Sequence, residues 1–162
     1  MKKTIASIFL ALPFVVSGQY SLDYLQRFTE SGKTGWRFST ADPIHYGNIG
    51  SNAIDLSISL SNSTYKGATG DYSTAIGDNT TAAGTAATAL GSYTYASGFR
   101  STTMGDGTSA YDYASVSIGR YNSVNSSVTT GGSGSSFDTD NAAFVIGNGT
   151  LWNNKSDAFV VY

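Results

Sequence analysis

The sequence predicts an all-β fold, a parallel β-solenoid of fourteen-residue coils capped by a small N-terminal β region. Three observations predict it. Glycine returns every seventh residue at 70, 77, 84, 91, 98 and 105. Alternate members of that series differ in their neighbours, so the unit is fourteen residues, A-x-G-x-x-S-x-A-h-G-x-x-T-x with h a large aliphatic. Fourteen residues are too few for a helix pair and suit two short strands with two glycine corners.

Taken in chain order, the 162 residues open with a targeting segment. Met1-Lys2-Lys3 is basic, Thr4 to Val16 is uncharged and mostly apolar, and Val16-Ser17-Gly18 is small at a cleavage point. Residues 1–18 therefore read as a secretory signal, with Gln19 as the first mature residue. No other apolar run is long enough to span a membrane as a helix. Without Lys2 and Lys3 the net charge is −4, so nucleic acid is not an expected partner.

Residues 19–67 lie outside the repeat and read as an N-terminal β cap. Glu30 to Gly35 is a turn cluster, and Trp36-Arg37-Phe38 a strand ended by Asp42-Pro43. Ile54, Leu56, Ile58 and Leu60 alternate with Asp55, Ser57 and Ser59, the pattern of a half-buried strand.

Residues 68–123 hold four coils. Ile76-Gly77, Leu90-Gly91, Met104-Gly105 and Ile118-Gly119 mark one corner. Gly70, Gly84 and Gly98 mark the other, with Asp112 in the fourth unit. Each strand alternates a large aliphatic face with a face of Ala, Ser and Thr. One aliphatic and a few alanines per coil do not offset about 1.5 kcal/mol of chain entropy per residue. The aliphatic column is therefore expected to pack against another chain. Residues 124–162 read as a Ser/Gly-rich stretch holding one degenerate coil, then Ile146-Gly147 two periods after Ile118, then a C-terminal strand or neck.

Enzymatic chemistry finds few parts. There is no cysteine and one histidine, His45, in a loop with no identifiable partner. Asp71, Asp78, Asp106 and Asp112 are candidate carboxylates, but Ser92 and Arg120 stand at the coil positions equivalent to Asp78 and Asp106. They read as solvated corners; no catalytic residue, metal site or cofactor is expected. Thr80, Thr94 and Thr108 form one column and Thr74, Thr88 and Thr102 another, the regular array an ice-binding solenoid requires. Tyr93, Tyr95, Phe99, Tyr111, Tyr113 and Tyr121 occupy variable positions and are the candidate ligand contacts.

The units Ser73-Thr74-Ala75-Ile76-Gly77 and Ala82-Ala83-Gly84 resemble the head repeats of trimeric autotransporter adhesins, the YadA-like head. The resemblance covers residues 68–123 and reaches Phe144-Val145-Ile146-Gly147-Asn148-Gly149. It implies a left-handed parallel β-roll, a homotrimer, display on a bacterial surface, and a host matrix protein, cell-surface or glycan ligand. Where the family motif opens Asn-Ser-Val, this chain has Tyr72-Ser73-Thr74. The alternatives are a structural segment of a phage or secreted fibre, and an ice-binding solenoid.

Overall fold

The computed structural model describes residues 24–123 and 133–162. The export segment expected at 1–18 and residues 124–132 of the Ser/Gly-rich stretch lie outside them. Among the described residues every regular element is a strand except one 3-10 turn, Pro43–His45.

The chain opens on a hairpin, β1 (Leu25–Glu30) and β2 (Lys33–Phe38), paired antiparallel across Ser31-Gly32. Both turn residues have positive φ, 49° and 79°, the geometry of a twist-matched two-residue hairpin. Then come β3 (Ile54–Ile58), β4 (Gly67–Ala68), β5 (Thr74–Asp78), β6 (Thr81–Ala82), β7 (Thr88–Ser92), β8 (Tyr95–Ala96), β9 (Thr102–Asp106), β10 (Ser109–Ala110) and β11 (Val116–Arg120). The chain closes with β12 (Phe144–Asn148) and β13 (Asp157–Val161).

Alternate strands fall into two sheets. The larger runs β1-β2-β3-β5-β7-β9-β11-β12-β13, and the smaller runs β10-β8-β6-β4. From β2 to β12 the larger sheet is parallel. Within the repeat the partners stand fourteen residues apart: Ile76 lies beside Leu90, Leu90 beside Met104, Met104 beside Ile118. The smaller sheet keeps that step, with Ala68, Ala82, Ala96 and Ala110 side by side.

Two features differ from the sequence reading. The parallel ladder begins before residue 68, because β3 pairs with β5 at a step of twenty residues, Ile54 beside Thr74. A six-residue excursion in that first coil hid the period. At the other end β11 pairs directly with β12, Ile118 beside Ile146. The degenerate coil expected between them adds no strand to this sheet. Instead, Ser133 and Gly134 lie beside the coils, their carbonyls accepting from the Tyr113 and Phe99 amides.

The interior is thin. Ala53, Ala68, Ala75, Ala82, Ala87, Ala89 and Ala96 form its apolar part with Ile49. Thr103 and Ser117 take the alanine place in later coils, fully buried. The hydroxyls of Ser73, Thr80, Thr94, Ser101, Thr103 and Thr108 are buried without a hydrogen-bond partner among the described residues. In β3 the inward side chains are Asp55 and Ser57, whereas Ile54 and Ile58 are exposed. The alternation read from the sequence is present, with its polar side inward.

Asp55 is buried because it answers Arg37, which is 1% exposed. The guanidinium donates to Asp55 at 3.0 Å, Glu30 at 3.1 Å and the Gly47 carbonyl at 3.0 Å, and lies 4.7 Å over the Tyr46 ring. Glu30 also accepts from the Ile49 amide at 2.6 Å. This network plugs the first coil, where no further alanine layer continues. Removing one partner of such a buried pair leaves an uncompensated charge.

Glycine meets two demands here: Gly77, Gly91, Gly105 and Gly119 take positive φ, at 122°, 115°, 124° and 96°, whereas the glycines of the other corner answer close backbone approach. A Cβ at Gly70, Gly84 or Gly98 would run into the backbone carbonyl of the next coil. None of those three has positive φ. The left-handed corner residues are instead Tyr72, Ala86, Arg100 and Ala114, at φ of 59°, 56°, 60° and 57°. A side chain in that region costs about 1–2 kcal/mol. Two substitutions two residues apart should therefore act in opposite directions. We expect G84A to lower thermal stability by more than about 1 kcal/mol, and A86G to leave it unchanged or raise it by up to about 1 kcal/mol. Melting followed by circular dichroism compares them.

Candidate functional site

The fold leaves two kinds of surface outside. The first is the outer face of the large sheet. Because Ala75, Ala89, Thr103 and Ser117 point inward, their neighbours Ile76, Leu90, Met104 and Ile118 point outward. They lie in register, continued by Leu56 on one side and by Ile146 and Phe159 on the other. Ile76 is 39% and Met104 44% exposed. Seven strands at the usual spacing make an unbroken apolar stripe about 29 Å long. Scattered exposed aliphatics are ordinary, but a continuous stripe marks a contact surface.

The second surface is the corner bearing tyrosines. The structure divides the six predicted contacts into separate groups. Tyr95 and Tyr111 pack on each other, ring centres 5.5 Å apart. Burial pushes the Tyr111 phenol above its ordinary value. Tyr113 stacks under Arg100, whose guanidinium sits 5.2 Å from the ring centre and bonds the phenol oxygen. Phe99 is exposed, its amide held by Gly134. Tyr93 and Tyr121 share one cleft, together with Gly107, Ser109, Trp152 and Lys155. Trp152 and Lys155 were not among the predicted contacts. They lie outside the repeat, and only the hairpin between β12 and β13 carries them to it.

The threonine columns separate as well. Thr80, Thr94 and Thr108 are fully buried. A column inside the roll meets neither water nor ice, so that half of the ice-binding expectation is corrected. Thr74, Thr88 and Thr102 are half-buried on the outer face, beside the aliphatic stripe.

Residues 68–94 match the YadA head domain repeat, in two copies. No curated protein and no solved structure matches the chain. The matched YadA head repeats span β5 to β7, and β9 and β11 continue them in the same strand register. The family resemblance read from Ser73 to Gly84 thus rests on a family model as well as on the residues.

The candidate carboxylates do not converge. Asp71 pairs with Lys33 at 2.9 Å, and that bond holds its carboxyl below the usual range. Asp106 pairs with Arg120 at 3.1 Å. Asp78 accepts from its neighbour Asn79. His45 ends the 3-10 turn in the cap, in a cleft with Asp42 and Tyr46. Among the described residues no three His, Asp or Glu side chains gather to hold a metal ion, and no helix is long and apolar enough to cross a membrane.

Asp112 is not the solvated corner read from the sequence: it is buried and has a positional role. It replaces the corner glycine in the fourth coil, and among the described residues no fifth coil stacks on that corner. Its carboxylate accepts from the Ala142 amide at 2.9 Å, tying the approach to β12 to the roll. Burial raises its pKa above the ordinary aspartate value. The folded state therefore holds this proton more tightly than the unfolded chain does. The stability linked to that proton is full at low pH and is lost as pH rises through the window above the ordinary value. Asparagine keeps the acceptor and removes the charge. D112N should match the parent's melting temperature at pH ~3 and exceed it at neutral pH.

Proposed function

We propose that this chain is a non-enzymatic, surface-displayed adhesin-type head, exported by its first eighteen residues and assembled as a homotrimer. In this reading the coils wind as a left-handed β-roll of fourteen residues each, continued by a C-terminal strand or neck region. Its structural positions are the corner glycines 70, 77, 84, 91, 98, 105, 119 and 147 and the aliphatics between them. Its ligand contacts lie among the corner aromatics.

One observation carries the reading. The side chains with most apolar surface stand outside, in register, while the interior closes on alanine and hydroxyls. A roll that buries so little of its own apolar surface gains most by burying the stripe against copies of itself. Three heads side by side would present each corner cleft three times, so weak contacts sum by avidity. The match of residues 68–94 to the YadA head repeat supports surface adhesion as the use of that assembly.

Light scattering on residues 19–162 should give three times the chain mass, with β-type circular dichroism. L90D combined with M104D should lower that mass to one chain and reduce the melting temperature. A folded monomer, or a double variant with unchanged mass and melting, would overturn the inter-chain role of the stripe. A trimer whose coated beads attach to neither matrix proteins nor cells would leave the purely structural fibre reading in its place.

A further inference from the structure

The cleft holding Tyr93 and Tyr121 is built from two distant parts of the chain. Asn79, Tyr93, Gly107 and Tyr121 occupy the same left-handed corner of successive coils, at φ of 53°, 51°, 63° and 40°. Each of the last three donates its amide to the coil before it, at Asp78, Ser92 and Asp106. The two tyrosines are therefore two coils apart, about 9.6 Å at ordinary strand spacing. Glycine between them leaves open the room a third side chain would fill; a Cβ at Gly107 would strike the Tyr121 ring.

The hairpin after β12 forms one side of the cleft. The Asn154 amide donates to the Leu151 carbonyl at 2.9 Å and the Thr150 amide to Asn154 at 3.0 Å, forming a tight turn with Trp152 at its tip. Gly149 and Ser156 donate to Arg120 and Tyr121 of the last coil, so the turn is fastened to the corner it overhangs. Trp152 nevertheless stays 73% and Tyr93 59% exposed. The open cleft has a volume of about 380 Å³, within the size of small-ligand sites.

Its electrostatics are one-sided. Arg120 is answered by Asp106, and no carboxylate lines the cleft. Lys155 makes no ion pair or hydrogen bond with any described residue, and burial alone holds its ammonium below the ordinary lysine value. Lys155 thus brings to the cleft an ammonium that no described residue pairs. Flat aromatic walls, phenol and serine hydroxyls, and one ammonium unpaired among the described residues together describe a particular kind of ligand.

We propose that this cleft binds a carboxylated pyranose, the acidic sugar ring of a surface glycan, with its C–H face against Trp152 and the tyrosines and its carboxylate on Lys155. This rests on the adhesive reading above and names its ligand class. A neutral sugar leaves the ammonium unpaired, and a simple anion leaves the aromatic walls exposed.

Calorimetric titration of the exported chain, in its assembled state, tests this with three probes: 3′-sialyllactose, a glucuronate-containing disaccharide, and lactose. The two acidic probes separate sialic from uronic acids. We expect at least one to bind about tenfold or more tightly than lactose. K155Q should abolish that preference, K155R should restore it, and W152A should weaken every saccharide, all with unchanged circular dichroism. Equal binding of lactose, an unaltered K155Q, or no heat with any probe would overturn the proposal. Bead attachment to cells separates this from the broader reading. Attachment that survives K155Q and W152A keeps the adhesin, a parent that attaches nowhere removes it, and in either case the titration decides the cleft.

Discussion

Successive coils of this roll meet at backbone contact distance, and that closeness governs the other features. At Gly70, Gly84 and Gly98 the α-carbon faces the carbonyl of the next coil with no room for a methyl group. A corner this tight brings the two sheets near each other, and within the repeat the space between them is filled mainly by alanine, serine and threonine. The large aliphatics are displaced outward as a consequence. The same spacing that makes the ladder regular thus produces the exposed stripe, the surface on which the proposed trimer rests.

Each end of the stack has its own solution. At the first coil the interior is closed by Arg37 with Asp55, Glu30 and Tyr46, a polar plug in place of another alanine layer. At the last coil the corner glycine gives way to Asp112, whose carboxylate catches the returning chain at Ala142. β13 then turns back antiparallel onto β12, as β1 does on β2. Antiparallel ends break the parallel register that an exposed ladder would offer to another strand. The C-terminal return also carries Trp152 and Lys155 to the tyrosine corner, so the ending of the roll and the assembly of the cleft are one event.

Period and register were legible because they depend on single columns of residues. Ile76, Leu90, Met104 and Ile118 recur at a fixed step and stand side by side. The direction of a face was harder to read. Alternation at Ile54 to Leu60 says that two faces differ, not which is inside, and here Arg37 draws Asp55 inward. The buried column of Thr80, Thr94 and Thr108 misleads for the same reason, since β-branched hydroxyls suit a surface ladder and a narrow interior equally. Left-handed corners at Tyr72, Ala86 and Arg100 carry no glycine signal because Gly70, Gly84 and Gly98, two residues before them, answer close backbone approach instead. Of the candidate site, Tyr93 and Tyr121 were visible as repeat positions, whereas Trp152 and Lys155 join them only through the hairpin's bonds to Arg120 and Tyr121.

The most direct test of this account is hydroxyl-radical footprinting of the exported chain at assembling concentration. Met104 on the stripe and Trp152 at the corner are both exposed on the single chain, at 44% and 73%. If copies cover the stripe, Met104 is protected in the assembly and oxidises at the single-chain rate when L90D disperses it, while Trp152 reacts equally in both. Oxidation of Met104 at one rate in both states would contradict the claim that this thin roll is completed by its neighbours.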